Sequence, residues 1–474
     1  MELYMIEPNS LGDICQEFRK RSESVMKFII LGAGPCGLGA AYHLNKCGHT
    51  DWQIFERNDH FGGLSASFTD TTGFTWDIGG HVLFSHYDYF DKAVADALGN
   101  SYYEHQRESW IRILQRWVPY PFQNNVRYLP GDVLSECVSG LRELQGSPDM
   151  AANFKEWMNT VFGSGIVKYF MEPYNFKVWG VPLDSMSKEW IAERVSLVDI
   201  ARIEQNIAEG RDDLSWGPNN VFKFPKNGGT GAIYEGIAEP LREKIHLLHE
   251  MTEIDLDRKR VIFSNGRIEH YDVLINTSPL NLFVSKCHTI SESIEEATGH
   301  LVHNGGLIVG LGFEGRRNDS KCWMYFPESN TPFYRVTNFH NYSRYNVPDG
   351  NTERYFSLMC ETSYSPYKPQ DKSHIVEETV KGLIDSGMID EEQKEQITCR
   401  YVIDIPYSYP VPTLRRDKAL AIILPFLESR SVYSRGRFGA WKYEVGNMDH
   451  SFMQGVEVVE RLLNGTEEKV HNSR

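Results

Sequence analysis

Three glycines, Gly32, Gly34 and Gly37, stand in the spacing GxGxxG directly after the apolar run Lys27–Leu31 and directly before a stretch of helix formers. That context turns a common spacing into a site for a dinucleotide. The first glycine permits the tight turn, the second lets backbone approach a pyrophosphate, and the third allows close packing of the helix. The phosphates would then rest on the helix N-terminus, where free N–H groups and the helix dipole favour anions. Glu56 ends the next apolar run about 20 residues on, where a carboxylate can accept from a ribose hydroxyl. A second glycine pair, Gly62 and Gly63, follows closely, and a third pair, Gly79 and Gly80, precedes His81.

The elements that must position these residues can be read from the pattern around them. KFIIL is a continuous apolar run, as expected of a parallel strand covered on both faces, and Trp52–Phe55 reads as its neighbour, giving a βαβ unit. Leu134, Cys137, Val138 and Leu141 fall on one helical face, so a helical layer is expected between about residues 129 and 211. From about residue 305 to 360, strand-like runs alternate with turns (GGLIVGLGF, CWMYF, FYRVTNF, RYFSLM), which predicts an antiparallel sheet. The glycine-rich GRFGAWKYEVGN segment suggests that the chain returns near its end to close over the cofactor.

Length and charge bound the function. A chain of 474 residues forms two or three packed domains, and a formal charge of −15 disfavours non-specific binding to nucleic acid or anionic lipid. No apolar stretch reaches the roughly 18 residues of a membrane span, and residues 1–25 lack the apolar core of a signal peptide, so a soluble cytoplasmic protein is expected. Eight scattered cysteines without a CxxC pair suggest reduced thiols and neither a metal site nor a disulfide framework.

The glycine pair beyond Glu56 resembles the FAD-binding extension of the large flavin oxidoreductases, which favours FAD over NAD. Longer strings carry a more specific resemblance: WDIGGHVLFSHYDYFD, WVPYPFQNN, FMEPYNFKVWGVP, WGPNNVFKFP, GGTGAIY, CWMYFPE, FYRVTNF, YPVPT and GRFGAWKYEVGNMDHSF. Together they resemble the UDP-galactopyranose mutases of eukaryotic type over about residues 26–459. The resemblance implies an α/β fold: a discontinuous Rossmann-like FAD-binding domain (26–98, 215–300 and 425–474), a helical domain with a mobile flap (120–214), and an antiparallel β-sheet domain (99–119 and 301–424). Residues 1–25 would be an N-terminal extension. It implies interconversion of UDP-galactopyranose and UDP-galactofuranose through a reduced-flavin N5-sugar adduct, with no net redox change.

Such a reaction takes its nucleophile from the cofactor, so no Ser/His/Asp triad or metal cluster is required, and none is visible. What the protein must supply is donors for a diphosphate whose charge grows as it leaves. By resemblance, Arg194 and Arg335 hold the diphosphate and Tyr409 and Tyr443 donate to it, while His81 stands beside the isoalloxazine. Tyr120, Gln123, Phe170, Asn175 and Tyr325 would take the uridine and its surroundings, and Asn219 would ride on the flap. Arg437, Met448 and Ser451 would contact the flavin, with Asn447 near the sugar. NADPH is the implied external reductant, on a segment containing Arg107 and Ser109. The competing readings are an FAD-dependent amine oxidase or desaturase and a non-catalytic UDP-sugar-binding flavoprotein.

Overall fold

The computed structural model describes residues 26–191, 197–214 and 221–473. Its first sheet is parallel, with strands in the order Val432–Ser434, Val273–Asn276, Phe28–Leu31, Trp52–Phe55 and Ile245–His246. The central strand buries all four residues. Phe28 and Ile30 enter the core on one side of the sheet, and Ile29 and Leu31 enter the core on the other. Alternation of side chains into two covered faces is why the run is apolar throughout.

The helix Pro35–Lys46 opens with Gly34 as N-cap and proline in its first turn. It packs against the helix Met448–Asn464, which brings the end of the chain back to the first sheet. Glycines set the distance between these two helices. A Cβ on Gly39 would lie 2.2 Å from the Phe452 carbonyl, and one on Gly455 would lie 2.0 Å from the Cys36 carbonyl. The helix Arg416–Glu428 straddles the expected boundary at 424/425, and its Ala419, Leu420, Ile423 and Leu427 pack into the core of the parallel sheet.

A seven-stranded sheet runs in the order Ile397–Pro410, His303–Glu314, Tyr355–Tyr364, Arg335–Asn338, Trp323–Tyr325, Ser109–Ile113 and Arg116–Pro119. It is antiparallel except where Trp323–Tyr325 meets Ser109–Ile113. Against the Ser109–Pro119 edge sits the helical layer, made from Gly131–Arg142, Phe154–Ile166, the π-helical turn Val167–Met171, Glu172–Trp179 and Ile200–Glu209. In the first of these helices the fully buried residues are Val133, Cys137, Gly140 and Leu141, while Leu134 and Val138 of the expected face are half-buried. Backbone contact is the reason. A Cβ on Gly163 would lie 2.3 Å from the Gly140 carbonyl, so the helices touch along a glycine edge and the apolar face is rotated toward it.

Candidate functional site

Between the two sheets lies a cleft of about 600 Å³ whose walls come from segments far apart in the chain. One end holds Gly32, Gly34, Glu56 and Gly63; the other holds His81, Arg335, Tyr409, Arg437, Tyr443, Asn447, Met448 and Ser451. The glycine turn at the first end is built by close contact. Gly32 has φ +101°, and a Cβ on Gly37 would fall 1.9 Å from the Gly32 carbonyl. Gly37 therefore serves the turn itself and does not line the cleft.

Gly34 differs. Its φ of −81° suits any residue, and a Cβ there would meet only Gly63 and Gly62, at 3.8 Å or more. Within the protein a side chain at Gly34 is tolerated, so its absence serves whatever occupies the cleft. Gly34→Val is accordingly expected to fold and to lose its flavin. Flavin absorbance per mole of protein and circular dichroism on one preparation check this, and full flavin content would refute it.

Gly62 donates its N–H to the Ala33 carbonyl (2.9 Å), which ties the second glycine pair to the first. Glu56 is buried and accepts from the N–H groups of Ala33 (2.8 Å) and Asn58 (2.9 Å), so its carboxylate is aimed before any ribose arrives. A carboxylate with two oxygens retains acceptor capacity beyond these bonds. Asn447 caps the helix Met448–Asn464 without a side-chain hydrogen bond to it, and Met448 and Ser451 lie in its first turn. The positive end of that helix dipole thus forms part of the cleft wall, a favourable place for an anionic group.

The second end of the cleft is organised by strand register. Arg335 lies directly opposite Glu361 on one neighbouring strand and opposite Tyr325 on the other, and Glu361 in turn lies opposite Ile308. Directly opposed residues share a face, so a row of side chains crosses the sheet beneath the cleft. Glu361 accepts from Arg335 Nε and Nη2 (2.6 Å each), from the Gly80 N–H (3.0 Å) and from the Tyr334 hydroxyl (3.0 Å). Burial pushes the Glu361 carboxyl up, but the Arg335 guanidinium and these hydrogen bonds outweigh it and hold the group below its usual range. The paired guanidinium is likewise raised above its ordinary value despite burial. Nothing in the sequence singled out Glu361, which sits in an apolar strand 26 residues from its partner.

His81 is half-buried, and burial pushes its imidazole down to about 4, so near neutrality it is uncharged. Its Nδ1, and Nε1 of the cleft-lining Trp323, are buried without a hydrogen-bond partner among the described residues. Unsatisfied buried nitrogens are expensive unless a ligand completes them. The Arg437 guanidinium donates to the carbonyls of Ser408 and Gly446 and lies 4.9 Å from the Tyr409 ring centre and 5.5 Å from that of Tyr443. The rings of Tyr409 and Tyr443 are 5.6 Å apart, and Trp179 stands behind both.

The uridine residues expected from the sequence do not line this cleft; they build an aromatic wall beside it. Tyr120 lies 5.3 Å from Tyr325, and Tyr325 lies 5.4 Å from Tyr174. Phe170 is buried with stacked rings, Phe122 at 4.6 Å and Tyr174 at 5.2 Å. Gln123 is buried in the same wall, and Asn175 donates to the carbonyl of Met171 in the preceding π-helical turn. Tyr174 is the ring that sequence reading missed, although it stands within FMEPYNF. Arg107 lies over Tyr120 and Trp323 and donates to Ser109 Oγ (3.0 Å) and the Tyr325 hydroxyl (3.3 Å). Arg194 and Asn219 fall outside the described residues.

Known proteins share the family and the fold of this chain. The sequence family of flavin containing amine oxidoreductases matches residues 35–443. A crystal structure of reduced UDP-galactopyranose mutase is similar to this chain at 44% identity and TM-score 0.91, with 94% of this chain and 96% of that one covered. A CLA-producing fatty acid isomerase from P. acnes is 15% identical (TM-score 0.62, 92% of this chain and 99% of that one). A putrescine oxidase is also 15% identical, with TM-score 0.65 over the same shares. The last two likenesses speak to fold alone. No helix among the described residues is long and apolar enough to cross a membrane.

Proposed function

The chain belongs to the flavin containing amine oxidoreductases and, within them, to the UDP-galactopyranose mutases, and from that premise we propose that it interconverts UDP-galactopyranose and UDP-galactofuranose. It is a flavin-dependent isomerase. The observation that carries the substrate reading is one continuous cleft with the dinucleotide turn at one end and Arg335, Tyr409 and Tyr443 at the other. The turn, the poised Glu56, the room left at Gly34 and the unsatisfied His81 nitrogen all fit FAD.

Reduced flavin, when bound, supplies the nucleophile toward the anomeric carbon. The protein supplies the rest. Arg335 and the hydroxyls of Tyr409 and Tyr443 take up the diphosphate, and they strengthen their hold as negative charge collects on the leaving group. Glu361 fixes the guanidinium so that little reorganisation accompanies that change. His81, kept uncharged by burial, offers a neutral N–H or a lone pair to the ring system and adds no cation to it. Asn447, together with Met448 and Ser451, presents the positive helix end to an anionic flavin. Arg194 completes the diphosphate site and Asn219 belongs to the flap over it, both by sequence resemblance. Tyr120, Gln123, Phe170, Asn175 and Tyr325, with Tyr174, form the uridine side. NADPH is the proposed reductant, and sequence resemblance assigns it to Arg107 and Ser109, which lie beside the same aromatic wall.

Purified enzyme reduced with dithionite is expected to convert UDP-galactofuranose into UDP-galactopyranose, as followed by chromatography of the sugar nucleotides. Oxidised enzyme should not turn over, and NADPH should be consumed only to reduce the flavin. Stoichiometric NADPH oxidation or peroxide release with each conversion would overturn the isomerase reading in favour of an oxidase.

A further inference from the structure

A second cleft, of about 720 Å³, shares no lining residue with the first. It opens between the Glu172–Trp179 helix, the loop around residues 327–332 and the helix Ile375–Asp385, and four lysines line it: Lys168, Lys177, Lys368 and Lys381. The outer two are ordinary. Lys168 and Lys381 are exposed and paired with Glu136 and Asp385.

The inner two are not. Lys177 is 6% exposed and donates to the Glu328 carbonyl (2.8 Å) and Thr331 Oγ1 (2.8 Å), and Lys368 donates to the Ser363 carbonyl (2.7 Å). These partners are all neutral oxygens; among the described residues no carboxylate is hydrogen-bonded to either ammonium. Glu328, the nearest acid, spends a carboxylate oxygen on the Leu114 N–H (3.2 Å), and Glu378 is the other acid at the rim. An ammonium out of water without a counterion is costly, and two facing one cleft repel each other as well. Burial first, and Lys368 second, push the Lys177 ammonium far down; burial lowers Lys368 to about 8. Each ammonium offers three donors, of which the bonds named use two on Lys177 and one on Lys368.

We propose that Lys177 and Lys368 together hold a multivalent oxyanion of the phosphate class in this second cleft, separate from the UDP-sugar site. The anion would complete the unused donors and supply the missing counter-charge. Tyr169 and Phe176 on the wall would cover an organic portion if the anion were a phosphate ester. Because an anion favours the charged form of both amines, its binding must take up protons. Affinity is therefore high where Lys368 is charged and falls as pH rises through about 8.

The probe of choice is sulfate, whose charge is constant over the range used. FAD-loaded enzyme saturated with UDP, so that the diphosphate site is filled, is titrated calorimetrically with sulfate at constant ionic strength. One further site is expected, with proton uptake at pH 8 revealed by heats that vary with the buffer, and with affinity at least about tenfold weaker at pH 9 than at pH 7. Lys368→Met and Lys177→Met should each weaken sulfate at least tenfold, and Lys381→Met at the rim less than threefold. Lys368 is half-buried and without a counterion, so Lys368→Met should fold, and it alone decides the matter if Lys177→Met, which strips the donor from Glu328 and Thr331, is not recovered. No sulfate site in the UDP-saturated parent, affinity independent of pH, or an undiminished affinity in Lys368→Met would overturn the proposal.

Discussion

Arg335→Ala is expected to turn over about 30- to 1000-fold more slowly than the parent, from a loss of about 2–4 kcal/mol of transition-state stabilisation, while keeping its flavin. Charge collects on the diphosphate as UDP departs, so a guanidinium there contributes more to the transition state than to the bound substrate. Two of its N–H groups already serve Glu361, at Nε and Nη2, and among the described residues no other hydrogen bond takes the remaining ones, which can serve phosphate oxygens. Arg335→Lys should recover little, because one ammonium cannot fill the carboxylate fork and reach the diphosphate together. Flavin content, UDP affinity and single-turnover rate on the same preparation test this. A rate within about threefold of the parent at saturating substrate would refute the role.

The same variant carries a pH signature. In the parent, Glu361 has a depressed pKa, so its pairing stabilises the fold above the unfolded carboxyl range and is lost as pH falls through the folded value. Without Arg335, only the bonds from Gly80 and Tyr334 still oppose burial and the carboxyl rises, so the variant loses stability as pH increases through that raised value. The stability gap between parent and Arg335→Ala should thus be wider at pH 8 than at pH 5 in urea denaturation. A gap that narrows toward pH 8 would contradict the pairing.

Glu361→Gln is expected to cost about 3 kcal/mol of stability, since it strips the partner from a guanidinium that is largely buried. Glutamine retains an acceptor for Gly80 or Tyr334 but offers no charge to Arg335. As a positioning residue, Glu361 should affect rate more than binding: the freed arginine keeps its charge for UDP but loses its aim. A single-turnover rate reduced at least tenfold, with UDP affinity altered by a smaller factor, is the expected split. Weakened UDP binding with an unchanged single-turnover rate at saturating substrate would mean that Glu361 serves binding alone, and stability equal to the parent's would remove the argument from desolvation.

The features legible in the sequence were those decided over short stretches of chain. Gly32 must be glycine because of its own φ, the strand Phe28–Leu31 is apolar because both its faces are covered, and Glu56 follows within one βαβ unit. Arg335, Tyr409 and Tyr443 were found by resemblance, and their residue types suit a diphosphate without any structure. The tertiary structure decided the partners. Glu361 reads as one acid in an apolar strand until the register sets it opposite Arg335, and Trp323 and Tyr174 stand out in no motif until the sheet brings the first to the cleft and the helical layer sets the second against Tyr325. It also separated Gly34, whose vacancy serves a ligand, from Gly37, whose vacancy serves the turn. Lys177 and Lys368, 191 positions apart, became a pair only when a helix and a loop closed on one cleft. A residue's own backbone and its near neighbours are coded locally. Register and long-range contact follow from how whole faces pack, so the charge that a buried group meets is written in no single segment.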